Sequence, residues 1–214
     1  MDKLVIFDLD GTICDTLEDL KNAVNYAMEK LNLPTHTLDS IRAKVGNGIR
    51  LLIERSLPDE KTNEINIQRA YDYFSEYYPK HLLDNTKPYE GIPQLLSSLK
   101  QKGYKLAVCS NKDDKFAKQI VNMCFPNTFD YIIGKLPDME KKPAPDMVNK
   151  VLKELQVDKQ NVLYVGDSLV DIQTAQKSNL KGVFVTWGFT SVDILKNYAK
   201  DIVSNPSKII DFIK

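Results

Sequence analysis

Two pairs of carboxylates stand out in this chain of 214 residues. The first is Asp8 and Asp10, in Phe7-Asp8-Leu9-Asp10-Gly11-Thr12, at the end of the apolar run Leu4–Leu9. Carboxylates at i and i+2 on a strand point to the same side. The carboxyl end of a first strand is also where open α/β sheets bind ligands. The second pair follows the run Val162–Gly166, where Asp167 leaves the strand and Asp171 lies one helical turn on, facing the same way. Read alone, that second pair is equally an N-cap with a first-turn acid. Converging at adjacent strand ends, the four carboxylates repel one another unless a cation sits among them. An all-oxygen donor set favours a hard ion, and Mg²⁺ is the usual one where phosphate completes the shell. Ser110-Asn111-Lys112 ends another apolar run with a hydroxyl and an amide, and Lys141-Lys142-Pro143-Ala144-Pro145-Asp146 brings cations just ahead of a helix. A divalent ion, a hydroxyl donor and an ammonium together neutralise a phosphoryl group.

The elements that must position these groups are legible as apolar patterns. Five short runs rich in β-branched and aromatic residues read as buried strands: Leu4–Leu9, Lys105–Ser110, Tyr131–Gly134, Val162–Gly166 and Gly182–Thr186. Their continuous apolarity predicts a sheet covered on both faces. Ile92, Leu95, Leu96 and Leu99 mark one helical face, Phe116, Ile120 and Met123 a second, and Met147, Val151, Leu152 and Leu155 a third. Strands alternating with helices predict a parallel, Rossmann-like α/β core with helices on both faces. The long interval between the first two strands holds no convincing strand. It carries instead the helical stripes Leu17, Leu20, Val24, Ala27, Met28, Leu31 and Ile67, Ala70, Tyr71, Phe74, Tyr77, Tyr78. An inserted all-helical module over 16–85 is expected there, leaving 1–15 and 86–214 for the core, with the turn-rich Asn85–Gly91 as one hinge.

Composition excludes several classes. The chain is 43% hydrophobic and 27% charged, ordinary for a folded protein and unlike a disordered or fibrous one. Lys plus Arg and Asp plus Glu both number 29, so no cationic excess exists to bind nucleic acid or an anionic membrane surface. The three cysteines, Cys14, Cys109 and Cys124, are too scattered for a disulfide framework or a zinc site, and Cys14 reads as a small core-filling residue. With no leader-like opening and no apolar run near the ~18 residues of a membrane span, a cytoplasmic protein is expected, monomeric or homodimeric. His36 and His81 both fall in the helical module, which leaves none for a His-based triad in the core.

In order along the chain, Asp8-Leu9-Asp10-Gly11-Thr12, Ser110, Lys142-Pro143 and Gly166-Asp167…Asp171 resemble motifs one to four of the haloacid dehalogenase superfamily. The resemblance covers essentially the whole chain. Val45-Gly46-Asn47-Gly48, Ser110-Asn111-Lys112, Lys142-Pro143-Ala144-Pro145 and Thr186-Trp187-Gly188-Phe189 are further similar to its phosphoglycolate phosphatase-like group, with Ser110 where Thr is frequent and Asp113 where Pro is common. The resemblance implies a helical cap and a Mg²⁺-dependent phosphatase of a small phosphorylated metabolite. It implies Asp8 as nucleophile forming an aspartyl-phosphate and Asp10 as general acid–base. It implies a metal held by Asp8, the Asp10 carbonyl, Asp167 and Asp171, and a phosphoryl group held by Ser110, Asn111 and Lys142. Gly46, Asn47, Gly48 and Arg50 look like the substrate-reading loop, Arg50 being suited to a second anionic group on the substrate, or else a solvated helix face. A phosphosugar mutase and a pyrophosphatase share these motifs. A dehalogenase has no need of Asp10 as acid, and a non-catalytic binding protein on the fold would not need the complete set.

Overall fold

The computed structural model describes residues 3–213. In it the chain forms two compact units: the chain up to Asp15 with everything from Pro88 onward, and the intervening Thr16–Lys87. The terminal residues 1, 2 and 214, which the sequence reading assigns to the core, lie outside the described residues.

The strands in chain order are β1 (Leu4–Phe7), β2 (Cys14–Asp15), β3 (Lys87–Pro88), β4 (Lys105–Asp113), β5 (Tyr131–Lys135), β6 (Val162–Gly166), β7 (Lys181–Val185) and β8 (Ile202–Val203). The two-residue strands β2 and β3 lie where the chain passes between the units. The other six make one sheet in the order β5-β4-β1-β6-β7-β8, with every neighbouring pair parallel. Starting at β1, the chain builds outward through β4 and β5, then returns to build the other side from β6. The strand order therefore reverses beside β1, the place where doubly wound sheets form a ligand crevice. Phe7 stands level with Val108 of β4 and Val165 of β6, so the three strands deliver their carboxyl ends to one edge.

All of β1 is buried, as a strand covered on both faces must be. Leu4 and Ile6 pack in one cluster with Met147, Val148 and Val151 and with Ile172 and Ala175. Val5 and Phe7 alternate to the opposite face, where the Phe7 ring meets Phe129 edge-on at 6.3 Å. The helices are α1 (Leu17–Lys30), α2 (Leu38–Arg42), α3 (Ile49–Glu54), α4 (Glu64–His81), α5 (Ile92–Gln101), α6 (Asp114–Cys124), α7 (Asp146–Leu155), α8 (Leu169–Lys177) and α9 (Val192–Tyr198). Among the described residues no helix is long and apolar enough to cross a membrane.

Beyond one-residue shifts at the ends of β5 and β7, four details differ from the sequence reading. The first strand stops at Phe7, because the amides of Thr12, Ile13 and Cys14 all turn back to the Leu9 carbonyl and close a tight loop. β4 runs on to Asp113, with its register against β5 shifting between Cys109 and Asp113. A sixth strand, β8, extends the sheet; at two residues it carries no readable pattern. Met123 is exposed, since the buried stripe of α6 runs through Phe116, Ala117, Ile120 and Val121.

The second unit is built on α1 and α4. α1 buries Leu17, Leu20, Ala23, Val24, Ala27 and Met28, and α4 buries Ile67, Ala70, Phe74 and Tyr78. Tyr26 of α1 stacks on Tyr77 of α4. The ends of the unit are tied together by the buried Asp19 carboxylate, which accepts from the Asn85 and Thr86 amides at 3.0 and 2.8 Å and from Asn85 Nδ2 at 2.8 Å.

Candidate active site

The site grows from the loops that leave β1, β4 and β6. The Asp8 amide donates to the Val165 carbonyl at 2.9 Å, fixing the start of the first loop against β6. Gly11 then turns the chain at φ +84°, a left-handed conformation that a side chain resists. A side chain there would also run into the Asp167 carboxylate, as would one on Gly188; one on Gly166 would strike Asp171. These glycines make room for acids.

Asp8, Asp167 and Asp171 are all buried and each offers a carboxylate oxygen to a group spanning no more than 4.8 Å. Asp167 is gripped from two sides: Thr12 Oγ1 donates to one oxygen at 3.0 Å and the Phe189 amide to the other at 2.7 Å. Asp171 closes a capping box with Ser168, which caps α8 in place of Asp167. The same Asp171 accepts from Tyr164 Oη at 2.9 Å. Lys142 is 2% exposed and its ammonium stands 2.8 Å from both Asp8 and Asp171. Its own carbonyl accepts from Asn111 Nδ2 at 3.0 Å, and its peptide bond to Pro143 is cis. Ser110 is buried, its hydroxyl accepting from the Lys112 amide at 3.2 Å.

The expectation of four converging carboxylates is corrected to three. The strand stops at Phe7, before both Asp8 and Asp10, so the same-face argument does not hold for the pair. The Asp10 carboxylate pairs with Lys112, whose ammonium is 3.0 Å away. Lys112 is buried, and the sequence reading assigned it no role. Thr12, Tyr164 and Phe189 were also missed as partners of Asp167 and Asp171. The Gly188-Phe189 step lies only just past β7, and its glycine was the available signal. In the second unit, Gly46 and Gly48 both have positive φ, and Gly48 precedes α3. Arg50 is half exposed and paired with Glu64 and Gln68 of α4.

The electrostatics are those of too many anions in a dry place. Burial, then the Asp171 charge, push Asp8 up to about 7 even though Lys142 pulls the other way. Burial, then the Asp171 and Asp8 charges, hold Asp167 well above the usual carboxylate range, against the pull of its hydrogen bonds from Phe189 and Thr12. Burial works against the Lys142 charge, yet Asp171 and Asp8 outweigh it and keep the ammonium protonated. One ammonium among three carboxylates leaves negative charge to be balanced. The oxygen-only donors, with glycines clearing space around them, fit a hard divalent cation.

The model of the haloacid dehalogenase-like hydrolases matches residues 5–185. The phosphoglycolate phosphatase of Aquifex aeolicus is 34% identical over 196 residues, covering 89% of this chain and 88% of its own. That of Colwellia psychrerythraea is 34% identical over 206 residues, covering 94% and 88%. Among solved structures, a candidate phosphoglycolate phosphatase from Lactobacillus delbrueckii subsp. bulgaricus superposes with a TM-score of 0.94 at 34% identity, covering 100% of this chain and 99% of that one. With the three-acid group standing at the β1 switch point of a matching fold, the chain belongs to the haloacid dehalogenase-like hydrolase family.

Proposed function

We infer that this phosphoric monoester hydrolase acts on a small anionic ester of the 2-phosphoglycolate kind, with Mg²⁺, through an aspartyl-phosphate on Asp8. The observation that carries the reading is Lys142, buried and bridging Asp8 and Asp171 at 2.8 Å each. A nucleophilic carboxylate must meet an anionic phosphoryl group, and a fixed ammonium beside it lowers the repulsion between them. Asp8 attacks phosphorus and the alkoxide leaves. Asp10, oriented by Lys112, protonates the leaving oxygen and then takes a proton from the water that cleaves the acyl phosphate. Ser110 and Asn111 orient the phosphoryl oxygens. Asp8, the Asp10 carbonyl, Asp167 and Asp171 would hold Mg²⁺, which when bound neutralises charge on the nucleophile and phosphoryl oxygens.

The segment 16–85 serves in this reading as a cap, with Gly46, Asn47, Gly48 and Arg50 recognising the non-reacting end of the substrate. A chain of zero net charge acting on a small metabolite fits a cytoplasmic enzyme, monomeric or homodimeric, with no nucleic-acid partner. Purified protein with Mg²⁺ tested against a panel of phosphate esters checks the reading. 2-Phosphoglycolate should give the highest kcat/KM with one phosphate released per ester. Two phosphates released from pyrophosphate, or phosphate retained with dependence on a bisphosphate activator, would replace it with the pyrophosphatase or mutase.

A further inference from the structure

The segment Thr186-Trp187-Gly188-Phe189 follows β7 and reaches Asp167 by two routes. Its start is anchored, the Thr186 amide donating to the Val203 carbonyl of β8 at 3.1 Å. By the direct route, the Phe189 amide donates to one Asp167 oxygen at 2.7 Å. Gly188 lies so close that a Cβ there would stand 2.3 Å from the Cβ of Asp167. The second route runs through Trp187, the only tryptophan of the chain. Half-buried, it donates its indole N–H to the Thr12 carbonyl at 3.0 Å. Thr12 in turn donates its hydroxyl to the other Asp167 oxygen at 3.0 Å.

We propose that Trp187 is a positioning residue of the divalent-ion site, which by holding the Thr12 carbonyl aims the Thr12 hydroxyl at Asp167 and so sets that carboxylate for the ion. The inference rests on the reading that Asp167 helps hold Mg²⁺. Thr12 is fully buried, and its amide donates to the Leu9 carbonyl at 3.2 Å. Held at the amide on one side and the carbonyl on the other, its backbone has little freedom left. A β-branched side chain is stiff about its first torsion, so a fixed backbone also fixes where the hydroxyl points.

An ionised carboxylate has about four lone-pair sites on its two oxygens. Thr12 and Phe189 take one on each oxygen, which keeps the carboxylate plane from turning and leaves lone pairs for a cation. Without the indole N–H the Thr12 carbonyl is released, and the hydroxyl loses its aim. Groups that orient a metal ligand in this way are worth about 10–100-fold in metal affinity. Trp187 acts one link further out than Thr12, so the lower end is expected of it.

The test is calorimetric titration with Mg²⁺ alone, without substrate, of wild type, Trp187→Phe, Thr12→Val and the double variant, each with native circular dichroism. Trp187→Phe keeps an aromatic ring and loses the donor. It should weaken Mg²⁺ binding by about tenfold, and Thr12→Val by about 10–100-fold. Since Trp187 acts through Thr12, the double variant should bind within about twofold of Thr12→Val. Losses that multiply would overturn that route, and a Trp187→Phe protein that binds Mg²⁺ as tightly as wild type would overturn the positioning role. Indole emission gives a second reading that needs no change at Trp187. In wild type it should shift with Mg²⁺ at the calorimetric midpoint, and in Thr12→Val at saturating Mg²⁺ the shift should vanish. Emission unmoved in wild type, or still shifting in Thr12→Val, would overturn the coupling. Wild type that binds no Mg²⁺ would defeat the metal reading and this inference with it, a result distinct from a variant that binds normally.

Discussion

The two units hold their charged residues in opposite ways. In the first, Lys142, Asp8, Asp167 and Asp171 are buried and bonded to one another or to neighbouring backbone and hydroxyl groups. In the second, the Arg50 side chain is 49% exposed and its partner Glu64 is 81% exposed. The surroundings of the first group have low effective dielectric, where charge–charge energies are several-fold larger than at a surface. An exposed ion pair contributes only about 0–1 kcal/mol. The core constellation is therefore held by its own buried contacts, whereas the exposed Arg50–Glu64 pair holds its partners only weakly. The proposed function assigns reaction chemistry to the first arrangement and recognition to the second.

The largest expected effects break the buried group. Asp8→Asn removes the attacking carboxylate and should abolish turnover of both p-nitrophenyl phosphate and 2-phosphoglycolate while circular dichroism stays native. Turnover within tenfold of wild type would end its assignment as nucleophile. Asp10→Asn should slow kcat by about 10²–10⁴-fold, the usual worth of a positioned acid–base group. Lys142→Met leaves the Asp8 and Asp171 charges buried without their ammonium. Breaking a buried pair costs about 3–5 kcal/mol, to be read from denaturant unfolding of the metal-free protein.

Arg50→Ala sharpens the contrast from the other side. Loss of a charge-assisted contact should lower kcat/KM for 2-phosphoglycolate by roughly 10–150-fold, with p-nitrophenyl phosphate little affected. Folding stability should hardly change, because the Glu64 pair is exposed. Equal losses on both substrates would assign Arg50 to general support of the fold.

The buried group also predicts a pH dependence. Asp8 is raised from 3.8 to about 7 on folding, so between those values the native state binds more protons than the unfolded state. The stability this group contributes is present at the acid end and lost as pH rises toward 7, opposite to a salt-bridged carboxylate. In metal-free buffer, the stability of wild type relative to Asp8→Asn should fall across that interval. A difference that stays level with pH would contradict the burial and Asp171 repulsion assigned to Asp8.

Much of the first unit was legible because its strands are apolar runs and its acids sit at their ends. β6 spans the same Val162–Gly166 in sequence and structure, and Asp167 follows it in both. What escaped depends on contacts that no local pattern encodes. The Lys112–Asp10 pair exists because β4 continues past Ser110 through its register shift and so carries Lys112 to the loop. The grip of Phe189 on Asp167 joins two separate loops, at the ends of β6 and β7. In the second unit the stripes of α1 and α4 were visible, but α2 and α3 are too short to show a period. The Asp19–Asn85 clasp joins residues on opposite ends of the unit, each ordinary in its own neighbourhood.

The central claim is that the buried Asp8 carboxylate becomes covalently phosphorylated. Turnover of 2-phosphoglycolate with Mg²⁺, quenched and reduced with borohydride, tests it directly, since an acyl phosphate is reduced to an alcohol where a free carboxylate is not. Peptide mass spectrometry should find homoserine in place of Asp8, and only after incubation with substrate. Homoserine at Asp10, Asp167 or Asp171, or an unmodified Asp8 under conditions of active turnover, would contradict the account.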